Sequence, residues 1–80
     1  MPKVHSVSAQ EQLQAFLRQI RTEAGLTQTD VAHRLGQPQS FVSKYESGER
    51  RLDILELREV CRVIGLPLPE LVRRLEQALR

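Results

Sequence analysis

The chain reads as an all-α protein, a bundle of five short helices with a helix-turn-helix at its centre. Three observations predict this. Apolar residues recur at three- and four-residue spacing from Ala9 to Leu79, the period of a helix face. Three pairs, Ser8 with Glu11, Thr27 with Asp30 and Asp53 with Glu56, place an acid three residues after a capping side chain. Glycines stand where runs end, at Gly36, Gly48 and Gly65. No β-strand is needed anywhere, and there are no repeats or low-complexity tracts.

Residues 1–7 have no periodic pattern and are read as a flexible N-terminal arm, with residues 8–80 forming a single domain. Ser8 opens a first helix that runs to Ala24 and buries Ala9, Leu13, Phe16, Leu17, Ile20 and Ala24. Thr27 caps a second helix over 28–35, whose apolar positions are Val31, Ala32 and Leu35. Pro38 restarts the chain into a third helix over 38–46, with Val42 and Tyr45 as a narrow apolar edge. Asp53 caps a fourth helix to Ile64, with Ile54, Leu57, Val60, Cys61 and Ile64 on one face and Leu55 and Val63 pointing elsewhere. After the turn at 66–69, Pro69 suits the first position of a fifth helix ending near Leu79.

The second and third helices carry most of the functional information. Two helices crossing near a right angle need a short side chain at the contact, and Ala32 supplies it. Gly36 follows four residues later, where the chain must turn sharply, and β-branched Val42 six after that. Cap, crossing residue, turn glycine and buried valine together have the spacing of a helix-turn-helix, with its core at 28–47.

These residues resemble a known family. GLTQ at 25–28, LG at 35–36 and QSFVSKYESGER at 39–50 look like the Cro/repressor-type (XRE-like) helix-turn-helix domain of phage repressors, antitoxins and restriction-modification controllers. LRQIR at 17–21 and LDILELREVCRVIG at 52–65 extend the match to about residues 13–66. The resemblance implies a lambda-repressor-like DNA-binding domain that binds operator DNA as a two-fold homodimer. It also implies an ion pair between Arg21 and Glu46 that fixes the recognition helix, with a phosphate contact as the other reading of Arg21, and support of Gln39 by Gln28 across the turn. Gln37 and Pro38 depart from the family pattern, which usually has an apolar residue and then a small polar cap.

Composition sets outer bounds. Eighty residues, 40% of them apolar, with one Tyr, two Phe and no Trp, call for an aliphatic core in one small domain. The single Cys61 has no internal disulfide partner, which suits a reducing cytoplasm, and its place on the core stripe favours packing over redox chemistry. No segment approaches the ~20 apolar residues of a membrane span, and the N-terminus lacks a secretory h-region. The expected location is therefore cytoplasmic, with the nucleoid. Net charge is only +2, so charge alone does not announce a nucleic-acid partner; the motif decides.

A recognition helix reads bases with residues at its start and one turn further. Those are Gln39, Ser40 and Lys44, with Phe41 beside them. Gln39 matches adenine N6 and N7, Lys44 matches guanine O6 and N7, and Ser40 discriminates weakly. Phe41 reads equally as a contact to a thymine methyl or as a half-buried core ring. For Gln39 and Ser40 the bland alternative is helix capping without base contact. Phosphate contacts are expected from Thr27, Gln28 and the free N–H groups at the start of the second helix, and from Ser43, Arg50 and Arg51 across the groove. Arg50 and Arg51 also read as ordinary surface charges.

Apolar residues on more than one face of the last two helices suggest a dimer interface of Leu55, Val63, Leu68, Leu71, Val72 and Leu75. The alternative is that these helices pack on each other and on the first. No enzyme is expected, because no nucleotide loop, acid–base pair or nucleophile arrangement is present. No cofactor, metal or small-molecule ligand is expected either: His5 and His33 lack neighbours at metal-ligand spacing. The expected function is a sequence-specific transcriptional regulator that binds double-stranded DNA. The competing reading is a protein-interaction module, such as an antitoxin that binds a toxin partner.

Overall fold

The computed structural model describes residues 8–80, so the proposed arm at 1–7 lies outside the described residues. Five helices follow one another: α1 (Ala9–Glu23), α2 (Gln28–Leu35), α3 (Gln39–Ser47), α4 (Ile54–Ile64) and α5 (Leu68–Ala78). No strand occurs among the described residues.

Three of the helices open on reciprocal caps. Ser8, Thr27 and Asp53 each accept from the backbone N–H three residues on, while Glu11, Asp30 and Glu56 reach back to the cap residue's own N–H. Each box satisfies two of the donors that a helix start leaves orphaned. The other two helices begin at proline. Pro38 is the N-cap of α3 rather than its first residue, because its extended ψ of 156° lies outside the helix. Likewise α5 starts one residue before the expected Pro69: the Pro67 carbonyl accepts from Glu70 and Leu71 N–H and closes the first turn around Leu68. Pro69 fits at the second position as readily as at the first, since neither N–H has an intrahelical partner.

The core joins all five helices through Leu17, Ile20, Val31, Ala32, Val42, Tyr45, Leu57, Val60, Cys61 and Leu71. Ala32 sits where α2 meets α3, 2% exposed, and Val42 is fully buried opposite. Arg34 braces α2 against the end of α4, its Nη1 donating to the Val63 carbonyl at 2.9 Å.

Three expectations about α4 and α5 are corrected. Leu71 is 1% exposed and belongs to the monomer core, because α5 leans on both α1 and α4. Val63 packs against that core instead of pointing away, because α4 lies between α2 and α5 and its buried arc is wide. Ile54, expected on the core stripe, is 61% exposed at the first turn of α4. Of the other residues expected at a dimer interface, Leu55 and Val72 are exposed, whereas Leu68 and Leu75 are half-buried.

Candidate nucleic-acid interface

The turn between α2 and α3 fixes how α3 is presented. Gly36 closes α2 in the left-handed region at φ 69° and ψ 31°, a conformation that a side chain disfavours. The Gln37 N–H then donates back to the Ala32 carbonyl at 2.9 Å. Pro38 leads extended into α3, and its carbonyl accepts from the Phe41 N–H at 2.9 Å.

Helix α3 has two distinct edges. Val42, Tyr45 and Glu46 are buried inward. Gln39, Ser40 and Lys44 are exposed outward, with Ser43 half-buried beside them. Phe41 does not join the outward group. Its ring meets Tyr45 edge-on, centroids 5.7 Å apart at 78°, and the Arg50 guanidinium lies 4.7 Å above its centre. Phe41 is half-buried and packs against the edge of the core.

Glu46 is the one buried charged residue among the described residues, 4% exposed. A buried carboxylate is costly unless paired and hydrogen-bonded. Arg21 meets it in a fork, Nε to Oε2 at 2.7 Å and Nη2 to Oε1 at 3.0 Å. The third arm of Arg21, Nη1, donates to the Leu26 carbonyl at 2.9 Å, tying the end of α1 to the chain entering α2. Hydrogen bonding to Glu46 raises the Arg21 pKa against the opposing effect of burial. Gln28 Nε2 also donates to Glu46 Oε1 at 3.0 Å. Gln28 Oε1 in turn accepts from Gln39 Nε2 at 2.7 Å. A continuous chain of side chains thus runs from the interior to the exposed start of α3.

The rim residues are more constrained than their sequence suggests. Thr27 Oγ1 accepts from the Asp30 N–H at 3.0 Å, and Asp30 Oδ2 accepts from the Thr27 N–H at 2.9 Å. Both groups are therefore committed to the cap, leaving Gln28 and Thr29 to supply any free N–H there. The Asp30 carboxyl is held below its ordinary pKa, first by the Thr27 N–H and then by the Thr27 hydroxyl. Arg50 clasps Glu56, Nη1 to Oε1 at 3.1 Å and Nη2 to Oε2 at 2.6 Å. That contact, followed by the Asp53 N–H, lowers the Glu56 pKa. Arg51 is exposed.

Several participants escaped the sequence reading. Glu56 was legible only as a cap partner, yet it also holds Arg50. Arg18 Nε lies 3.7 Å from Glu46, and Gln14 approaches Gly48 so closely that a Cβ there would stand 2.7 Å from its Nε2. Arg18 and Gln14 do fall on the flank of α1 that includes Arg21, a helical spacing that offered a weak signal. Among the described residues, no group of three or more His, Cys, Asp and Glu is placed to hold a metal ion, and no helix is long and apolar enough to cross a membrane.

Comparison with known proteins points to the helix-turn-helix fold. Residues 17–71 match the family model described as helix-turn-helix. An uncharacterised HTH-type transcriptional regulator of Sinorhizobium fredii is 38% identical over 53 residues, covering 66% of this chain and 69% of that protein. The structure of an XRE-family-like protein from Pseudomonas syringae pv. tomato superposes with a TM-score of 0.85 at 44% identity, over 90% of this chain and 88% of the other. The clp gene regulator of C. glutamicum shares the fold, with a TM-score of 0.82 at 22% identity over 98% of this chain and all of that one (100%).

Proposed function

The chain belongs to the helix-turn-helix family of transcriptional regulators, and from that premise we propose that it binds a pseudo-palindromic DNA operator as a homodimer, with α3 in the major groove. The observation that carries this reading is the outward edge of α3. Gln39, Ser40 and Lys44 are exposed on a short rigid helix whose other edge is locked into the core. The backbone that carries them is thus fixed before binding, which lowers the ordering cost of docking the helix.

Gln39 pairs with adenine N6 and N7, Lys44 donates to guanine, and Ser40 adds a weaker contact. Arg51, Ser43 and the amides opening α2 touch phosphates, which position the protein and make affinity salt-dependent. The exposed Leu55 and Val72 supply apolar surface for a second copy. The protein works in the cytoplasm, beside its DNA.

Selection from a random-sequence duplex library tests the proposal. The expected product is an inverted repeat with half-sites about one helical turn apart. A library that returns no enriched sequence overturns it, and recovery of a toxin-like protein from pull-down then favours a protein-binding role.

A further inference from the structure

We infer that Glu46 sets which way round the Gln39 amide faces DNA, acting through Gln28 as a positioning residue for base specificity. This rests on the reading of Gln39 as a base contact.

Donors and acceptors along the three side chains fix the orientation of each amide. Paired with the Arg21 guanidinium, the Glu46 carboxylate only accepts. Gln28 must therefore turn its NH2 inward, as it does at 3.0 Å. Reversing Gln28 would bring its amide oxygen against a carboxylate oxygen. With one N–H held on Glu46, the Gln28 amide turns its oxygen toward Gln39, and Gln39 Nε2 donates to it at 2.7 Å. Reversing Gln39 would in turn set two amide oxygens face to face. The buried charge thus passes its polarity along two amides to the surface.

The consequence lies at the outer end. Gln39 keeps one N–H and its Oε1 for DNA, a donor beside an acceptor. Adenine presents N7 as acceptor and N6 as donor, the complementary pair, whereas guanine presents two acceptors, N7 and O6. An amide free to rotate would serve either purine in part. An amide locked by Gln28 serves adenine and sets its oxygen against guanine O6. The discrimination is therefore built into the protein before DNA arrives.

Affinities for the selected duplex carrying each of the four base pairs in turn at the Gln39 position, measured by fluorescence anisotropy at fixed salt, test the inference. Gln39→Ala first locates that position, as the one where the preference disappears. The wild-type chain should favour adenine over guanine there by about tenfold or more. Gln28→Leu leaves the Arg21–Glu46 pair in place but removes the link, and should reduce that ratio to within about threefold while preferences elsewhere persist. Gln28→Lys keeps a donor toward Glu46 but offers Gln39 only donors, so Gln39 should turn its oxygen inward and the preference should shift to guanine. Circular dichroism verifies that both variants retain the helical fold. Retention of the wild-type ratio in either variant overturns the inference. If Gln39→Ala changes no position, the base-contact reading of Gln39 itself fails; if it changes one and the Gln28 variants do not, only the relay fails.

Discussion

Arg50 and Glu56, six positions apart, meet head-on across the turn between α3 and α4, guanidinium against carboxylate with paired contacts of 3.1 and 2.6 Å. The Arg50 plane also covers one face of Phe41. A cation that stacks on a ring and forks onto a carboxylate is part of the frame around α3. Its neighbour Arg51 has no such commitment to a carboxylate among the described residues and is exposed.

Arg51→Ala should therefore weaken binding to all DNA sequences alike and reduce the slope of log affinity against log salt by about 1 per protomer, about 2 for the dimer. Arg50→Ala should change that slope less and lower the thermal midpoint instead. Salt titrations of both variants, set beside their melting curves, separate the roles. Equal changes in slope would show that Arg50 releases Glu56 to reach phosphate.

The Arg21–Glu46 pair predicts asymmetry between single and double substitutions. Arg21→Met leaves a buried carboxylate without its main partner and should cost about 3 kcal/mol of stability, as should Glu46→Leu with the sign of the stranded charge reversed. The double variant should recover a large share of that loss, because no unpaired charge stays inside. Urea unfolding of the three variants gives the coupling directly, and simple additivity would count against a buried ion pair.

Tyr45 offers a gain of stability. Its ring is 1% exposed and its hydroxyl finds no hydrogen-bond partner among the described residues. Burial also raises its pKa, so the group stays neutral. Tyr45→Phe removes an unsatisfied polar group at almost constant shape and should stabilise the fold by about 1 kcal/mol. A lower urea midpoint for the variant would mean that the hydroxyl is satisfied in solution.

Acid should weaken the protein. Asp30, Glu56, Glu59 and Glu70 all titrate below their ordinary values when folded. Glu70 falls to about 2, held by hydrogen bonds first from Arg73 and then from Arg74. The unfolded chain then binds protons more readily than the folded one at low pH. Stability from these groups is fully present above the unfolded carboxylate values, about pH 4.5, and drains as pH falls toward the folded ones. Urea midpoints should be level between neutral pH and about pH 5, then decline toward pH 2. The decline should shrink in 1 M salt, since these side chains are solvent-facing and screened. A level midpoint down to pH 2 would show that the surface pairs add nothing.

Lys44→Ala should relax preference at one guanine by about 1–3 kcal/mol, leaving the fold intact because the side chain is exposed on α3. A repeat of the library selection with the variant reads this out as a position that becomes degenerate. A uniform loss at every position would instead assign Lys44 to phosphate.

What the sequence discloses follows the range of each interaction. The three cap boxes join residues three apart, within one turn, and could be read before any fold was known. So could the glycine that ends α2 and the small Ala32 at the helix crossing. Leu71 was ambiguous for a different reason: an apolar stripe on α5 announces that something will cover it, but whether that is α1 and α4 or another copy depends on the angle of approach. The contacts of Gln28 with Glu46, of Arg34 with Val63 and of Arg50 with Glu56 depend on chain packing that no local pattern encodes. Gln28 to Glu46 spans 18 positions and Arg34 to Val63 spans 29. The Arg21–Glu46 contact, 25 positions apart, was visible only through family resemblance.

Because the anchoring residues of α3 and its outward ones share almost no side chains, a new binding preference can arise without a new architecture. Exchanges at Ser40 or Lys44 should disturb the scaffold by no more than about 0.5 kcal/mol, so lineages or engineers can redraft those letters freely. Gln39 is the exception. Any replacement there also unhooks Gln28, so its evolution is expected to proceed in concert with that neighbour.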